Sequence, residues 1–386
     1  MSLDAASKDG GPVSGLRIVE SSAFIAMPSA MMSLALLGAE VLRIDPPGGG
    51  LDYRRWPLAP SGQSLYWTFL NRGKRSLTLD LRREEGREAA ARLVCDGGED
   101  GGIFVTNLPL KGALGFEALR ARRSDVIVVS LDGSPDGETA VDYTVHAGCG
   151  AAMMAGPRDH TAPVNNAVPF WDLICGQTIA MGLLAAERER RQSGRGQHVR
   201  ISLSDVAMAG VAGVGMLAEA ELGQARQRDG NWVYGNFGRD FGTLDGRRLM
   251  LAAVTEKQWR ALLSATGLGS RMDALATAFD ADFSREDERY RVREAIGALV
   301  ADWVGTRTLE QVADAFSNTP VCWGPYRDLD QMLREDWRAS EMNPLFSRRG
   351  HPGVDPVLTP RSPLRFSNHP DMANPPAPEF GADCAE

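Results

Sequence analysis

The chain has no C-x-x-C pair, no two histidines four residues apart, no G-x-G-x-x-G after its first strand-like run and no apolar stretch of membrane-spanning length. Each absence removes a class of function. Cys95, Cys149, Cys175, Cys322 and Cys384 are an odd set of scattered thiols, so no structural disulfide is expected, and reduced thiols fit a cytoplasmic protein. The histidines, His146, His160, His198, His351 and His369, lack metal-ligand spacing, and no metal is expected. The uncharged run from Ser21 to Ala39 is interrupted by Pro28 and by serines, and falls short of the about 20 apolar residues a membrane helix requires. No membrane partner follows from it. Excess positive charge is missing too: a formal net charge of -8 and a pI near 5.3 argue against nucleic acid, while a local basic patch remains compatible with a phosphorylated ligand.

What is present is a soluble globular composition, 43% hydrophobic and 24% charged, over 386 residues, too long for one ordinary core. Met1 to Ser14, rich in Ser, Gly and Asp, reads as a disordered tail rather than a signal peptide. Beyond it, apolar strand-like runs alternate with helical patterns. Leu16–Glu20, Val41–Ile44, Leu77–Leu81, Ile103–Thr106 and Val126–Leu131 read as strands, with helices over Pro28–Leu37, Glu84–Cys95 and Phe116–Arg122. Such βαβ repetition predicts an α/β fold with a parallel sheet. A further helix follows Asp172, then a strand over Val199–Leu203 and a small-residue helix from Asp205 to about Leu222. These elements predict a Rossmann-like large domain over 15–223. Gly, Asn, Arg and aromatic residues then dominate 224–242, which reads as a linker or glycine loop. A hairpin turning at Asp245-Gly246 and helices over Lys257–Ala265, Asp287–Gly305 and Leu309–Ser317 predict a smaller α+β domain over 243–325. The Pro- and Arg-rich residues 326–386 read as a segment returning to the large domain.

Asp172 is the most informative residue. It stands between an apolar approach, Val168-Pro169-Phe170-Trp171, and a run whose next charge is Glu187. Two roles are open to it: the cap of the helix that follows, or a carboxylate nucleophile. The missing glycine fingerprint disfavours a dinucleotide redox cofactor. Asn71-Arg72-Gly73-Lys74-Arg75-Ser76, with Arg82-Arg83 beyond, reads either as a phosphate-binding edge or as a solvated surface run. Likewise Tyr234–Gly242, containing Gly238 and Arg239, reads as a loop over a reaction centre or as an ordinary glycine loop closed by an internal Arg–Asp contact.

Taken in order, Gly38–Ile44, Asn71–Leu81, Thr106-Asn107, Asp172 with Gly182–Ala186, Gly194–Gln197 and Ser362-Pro363 resemble the class III CoA-transferases over about residues 14 to 381. The resemblance implies an interlocked homodimer, acyl-CoA thioester and carboxylate substrates, and coenzyme A as a substrate moiety rather than a tightly bound cofactor. It implies that Asp172 attacks the thioester to give a mixed anhydride and then an aspartyl-CoA thioester. Carried over by position, CoA contacts fall on Phe24, Ile25, Ala26, Leu79, Arg82, Asn107 and Leu108, with Lys111 near the place of a family arginine. Gly238 and Arg239 join Asp172 as catalytic candidates, and Arg54, Arg55 or Arg239 would hold a free carboxylate. A racemase within the family needs a histidine before Asp142, where this chain has Val141. Gly48–Pro57, Asp142–Val145, Tyr234–Phe241 and Gly324–Arg327 resemble the subgroup that moves CoA between the two carboxyl groups of one mesaconyl unit. Intermolecular transfer to a separate acid and a silent CoA-binding protein are the alternatives.

Overall fold

The computed structural model describes residues 10–370 and 372–383. Two compact units emerge: residues up to Ala151, Asn165–Ala225 and Asp336 onward form one, and Ala152–Val164 with Arg226–Glu335 form the other.

The first unit is built on a six-stranded parallel sheet of β1 (Arg17–Ser21), β2 (Glu40–Asp45), β3 (Arg75–Thr78), β4 (Ile103–Thr106), β5 (Ile127–Asp132) and β6 (His198–Ser202), in the order β3-β2-β1-β4-β5-β6. Near-continuous apolar text such as Ile103-Phe104-Val105 is buried on both faces, as parallel strands require. Helices α1 (Ala26–Ala35), α2 (Leu65–Leu70), α3 (Glu84–Cys95), α4 (Phe116–Arg122), α5 (Asp142–Gly148) and α7 (Phe170–Ser193) lie between the strands, α8 (Leu203–Gly213) and α9 (Met216–Glu221) follow β6, and the single turn α6 (Ala151–Met154) falls where the chain leaves this unit. One face of the sheet packs α1, α7 and α8 through Met27, Met31, Ile179 and Leu183; the other packs α3 and α4 through Ala91, Val94 and Leu119. The mixed α/β architecture with a parallel sheet expected from the sequence is therefore present.

Several local expectations change. Residues 1–9 of the expected disordered tail lie outside the described residues, whereas 10–14 form a turn in which the Val13 amide donates to the Leu37 carbonyl at 3.2 Å. The helix expected over Asp205–Leu222 breaks between α8 and α9 at Gly215, whose φ of +82° ends one helix and opens the next. In the second unit, Phe237–Gly242, expected as a glycine loop, is strand β7, paired antiparallel with β8 (Arg248–Ala253) and through it with β9 (Cys322–Pro325). The turn at Asp245-Gly246 joins β7 to β8, so the hairpin begins earlier than its composition indicated. Helices α10 (Glu256–Thr266), α11 (Gly269–Ala278), α12 (Glu286–Arg291), α13 (Arg293–Gly305) and α14 (Leu309–Phe316) cover this sheet around Trp259, Leu262, Ile296, Val300 and Val312. Near the C-terminus a hairpin of β10 (Phe346–His351) and β11 (Val354–Pro360) stands where little periodicity was visible.

The basic segment is neither a phosphate edge nor a solvated run. Arg72 and Lys74 are buried; Lys74 Nζ pairs with Glu20 Oε2 at 2.8 Å, and Arg72 donates to the Pro360 carbonyl and, at 3.2 Å, to Asn374. Arg75 bridges Glu40 and Asp383, each at 2.8 Å. Among the described residues no helix is long and apolar enough to cross a membrane.

Candidate active site

Strands β1 and β4 are neighbours whose connections leave the sheet in opposite directions, one toward β2 and the other toward β5. At such a switch point the loops beyond the strand ends diverge and leave a crevice. Here the two loops are clasped by one side chain: Asn107, just past β4, accepts from the Ala23 amide at 2.9 Å and donates to the Ala23 carbonyl at 2.8 Å. Phe24 follows with φ +69°, a left-handed conformation that costs a side-chain-bearing residue about 1–2 kcal/mol. Its partly exposed ring thereby stands at the crevice, next to Ile25 and Ala26, which open α1 without a side-chain cap. Phe24, Ile25, Ala26, Asn107 and the exposed Leu108 thus gather at one place. Leu79 and Arg82 lie past the end of edge strand β3, the Leu79 amide donating to Asp45 O at 3.0 Å and Arg82 paired with Asp80 at 2.8 Å. Lys111 is exposed ahead of a short 3-10 turn.

Helix α7 brings Asp172 to the crevice. Its buried positions, Cys175, Ile179, Leu183, Ala186 and Arg190, recur at helical spacing and pack toward the sheet. Gly176 permits closer approach to α1 than any larger residue would, since a Cβ there would stand 2.3 Å from Ser29 Oγ and 3.0 Å from Ala26 O. That contact sets the first turn of α7 beside the first turn of α1. Asp172 belongs to this turn but does not cap it. The Trp171 and Asp172 amides donate instead to Asp142 Oδ2 at 2.8 and 3.1 Å, and the Phe170 and Leu173 amides to the Val168 and Pro169 carbonyls. Every first-turn amide is therefore engaged elsewhere, and among the described residues no hydrogen bond to the Asp172 carboxylate is formed.

The electrostatic consequence is direct. Burial, and after it the Asp142 carboxylate, raise the Asp172 carboxyl to about 7, with Arg55 acting in the opposite direction. The Arg55 guanidinium lies 5.6 Å from the ring centre of Phe24 and 5.1 Å from that of Tyr66. Burial also pushes the Tyr66 phenol above its usual range, and its hydroxyl has no hydrogen-bond partner among the described residues. One turn along α7, burial pushes the Cys175 thiol up to about 12, so that thiol stays protonated.

Gly238 and Arg239 belong to the second unit. Gly238 is a strand residue where a Cβ would meet Val233 Cγ2 at 2.8 Å and Leu251 O at 2.9 Å, and the Arg239 guanidinium lies over Trp232 at 4.8 Å and Phe241 at 5.7 Å. Within this segment Arg239 Nε donates to the Asp240 carbonyl at 3.1 Å, while the Asp240 carboxylate pairs with Arg248 of β8. Tyr66 and the amide-gripping role of Asp142 escaped sequence reasoning. Tyr66 carries no local signal, and only the run Asp142-Tyr143 ahead of α7 marked the other position.

A family model described as "CoA-transferase family III" matches residues 13–384. The chain belongs to CoA-transferase family III. It is 45% identical over 96% of its length, and 91% of the relative's, to a 2-methylfumaryl-CoA isomerase of Chloroflexus aurantiacus. It is 30% identical, over 84% of its length and 80% of the relative's, to a succinyl-CoA–D-citramalate CoA-transferase of the same organism. Among solved structures, a CAIB/BAIF family protein from Brucella suis superposes with a TM-score of 0.77 at 25% identity, covering 96% of this chain and 97% of that one. For a family III CoA-transferase, the crevice supplies a half-buried carboxylate without a hydrogen-bond donor among the described residues, a neighbouring guanidinium and a neutral phenol. Such a set suits attack on a thioester, because a raised pKa makes the carboxylate a stronger nucleophile while its ionised form is still populated near neutral pH.

Proposed function

We propose that the chain catalyses intramolecular CoA transfer between the two carboxyl groups of 2-methylfumaryl-CoA (mesaconyl-CoA), with Asp172 as the covalent nucleophile. The observation that carries the chemistry is the Asp172 carboxylate, half-buried at the switch-point crevice, with the Trp171 and Asp172 amides already taken by Asp142. The substrate rests on the 45% identity to the isomerase. In the first step an Asp172 carboxylate oxygen adds to the thioester carbonyl, the C–S bond breaks and CoA leaves as thiolate, giving a mixed anhydride. The thiolate then attacks the Asp172 carbonyl of that anhydride, releasing the diacid and leaving an aspartyl-CoA thioester. The diacid returns with its other carboxylate to displace CoA, and a final attack by CoA on the new acyl carbonyl restores Asp172.

Arg55 is assigned to the free carboxylate of the diacid, ahead of Arg239, because its guanidinium stands at the crevice between Phe24 and Tyr66. Gly238 and Arg239 keep a covering role only as a secondary reading. Phe24, Ile25, Ala26, Asn107 and Leu108 are assigned to CoA, with Leu79, Arg82 and Lys111 as outlying contacts. The working form is assigned as a homodimer, consistent with exposed apolar side chains on α7, α8 and α9 (Ile174, Met181, Met208 and Leu217) and at Val214 between the last two. A cytoplasmic setting accords with the free thiols of Cys95, Cys149, Cys175 and Cys322.

The test is incubation with mesaconyl-1-CoA in the presence of labelled free mesaconate. Appearance of the 4-CoA isomer without label supports intramolecular transfer. Label entering the CoA ester, or turnover that stops when free mesaconate is left out, moves the assignment to an intermolecular CoA-transferase, and a few per cent of activity surviving in Asp172→Ala removes Asp172 as nucleophile.

A further inference from the structure

Between β2 and α2 the chain makes a long excursion, residues 46–64, that carries Arg55. Arg55 is exposed, and a free arginine side chain samples many rotamers at a cost of about 2 kcal/mol when it is fixed. Its backbone is nevertheless clamped: its amide donates to Asp52 O at 3.1 Å, and Ser64 Oγ donates to its carbonyl at 2.6 Å. Beneath it, Asp52 is 1% exposed, and Arg43 Nη2 reaches its carboxylate oxygens at 3.2 and 3.5 Å. The same Nη2 donates to the Ser22 carbonyl at 3.1 Å, in the loop that ends at Phe24. One buried guanidinium therefore ties the loop bearing Arg55 to the loop bearing the ring over which Arg55 lies. Gly49 makes the descent of the chain possible: its φ is +94°, and a Cβ there would stand 2.4 Å from the Tyr53 ring.

Charge balance separates this role from ordinary stabilisation. Arg43 is also held by Asp45 at 2.9 Å and Glu20 at 3.3 Å, and Lys74 pairs with Glu20 at 2.8 Å. Glu20, Asp45 and Asp52 set three carboxylates against Arg43 and Lys74, so the buried cluster is one acid in excess when all are ionised. Burial accordingly pushes the Asp52 carboxyl up. Asp45 and Glu20 already neutralise the two cations, and the charge of Asp52 is surplus to the balance.

We propose that Asp52 is a positioning residue for Arg55: held by Arg43, it fixes the 46–64 excursion so that the Arg55 guanidinium stands over Phe24 and Tyr66, ready for the substrate's second carboxylate. The inference rests on the assignment of Arg55 made above.

The test compares wild type, Asp52→Ala, Asp52→Asn, Arg55→Ala and the double variant Asp52→Ala/Arg55→Ala at pH 8.5, above the wild-type Asp172 value of about 7. Two reactions are followed: isomerisation of mesaconyl-CoA, and hydroxylamine-trapped acylation by crotonyl-CoA, which lacks a second carboxylate. Asp52→Ala is expected to lower kcat/KM on mesaconyl-CoA by about 10- to 100-fold, as a displaced binding group does. Crotonyl transfer and the Kd for CoA should change by less than about twofold, and the double variant should be no slower than Arg55→Ala. Asp52→Asn, which removes the surplus charge, should unfold no earlier than wild type while losing part of the mesaconyl rate. Additive losses in the double variant, or equal losses on both substrates, overturn the positioning role while leaving Arg55 in place. Full activity in Arg55→Ala instead overturns the Arg55 assignment and the positioning role with it. Should Asp52→Ala fail to fold, Asp52→Asn decides: lowered stability with an unchanged mesaconyl-to-crotonyl ratio overturns the proposal.

Discussion

Replacing Asp172 by asparagine removes a carboxyl that burial holds at about 7 against an ordinary value of 3.8. Between those two values the unfolded chain has lost the proton while the folded chain keeps it, so folding takes up a proton and stability falls as pH rises. The contribution is fully present below about pH 4 and lost once pH passes about 7. At about 1.4 kcal/mol per tenfold change in proton affinity, the difference corresponds to about 4 kcal/mol, reduced to about 2–3 kcal/mol for the partial solvent contact of the group. Urea unfolding at pH 4.5, 6 and 8 measures it directly. Asp172→Asn should already exceed wild type by about 1 kcal/mol at pH 4.5 and by about 2–3 kcal/mol at pH 8. Activity gives an independent reading, since kcat/KM reports groups of the free enzyme and should rise through an apparent pKa near 7 in wild type. A stability difference that does not vary with pH, together with an activity limb near pH 4, would falsify the account of Asp172 as a half-buried carboxylate raised by desolvation.

Three further outcomes follow from the same geometry. Asp142→Asn keeps one acceptor for the Trp171 and Asp172 amides but removes the charge that raises Asp172; the activity limb should move to lower pH, with about 1 kcal/mol of stability lost in a denaturant titration. Lys74→Met leaves Glu20 without one of its two buried cations and should cost about 3–5 kcal/mol by urea unfolding, most of it regained in the double variant Glu20→Gln/Lys74→Met. Asn107→Ala severs both hydrogen bonds to Ala23 and should cost about 1–3 kcal/mol; calorimetric titration should show weaker CoA binding, and unchanged affinity would remove the clasp from the binding site.

Local pattern was enough for elements whose apolar period and turn residues lie within one short window. Glu84–Cys95, Ile103–Thr106 and Phe116–Arg122 have the same bounds in sequence reading and structure. The prominence of Asp172 was legible for a similar reason, because the text around it carries no neutralising charge. Its relation to its helix was not. Whether Asp172 caps α7 depends on a competing carboxylate, Asp142, that the fold delivers from another helix. The basic segment at 71–76 misled in the same way, since a cation's environment is set by partners such as Glu20 and Asn374, which are distant along the chain. Phe237–Gly242 carries the glycines of a loop, yet pairing with β8 makes it a strand, tertiary context overriding propensity.

By itself the sequence determined the alternation of buried strands and covering helices, the family and the carboxylate to watch, because periodicity and short motifs are properties of neighbouring residues. The tertiary structure alone decided which carboxylate takes the amides of α7, which arginine stands at the crevice and which charges are buried, because hydrogen bonds and desolvation act between side chains that only the folded chain brings together.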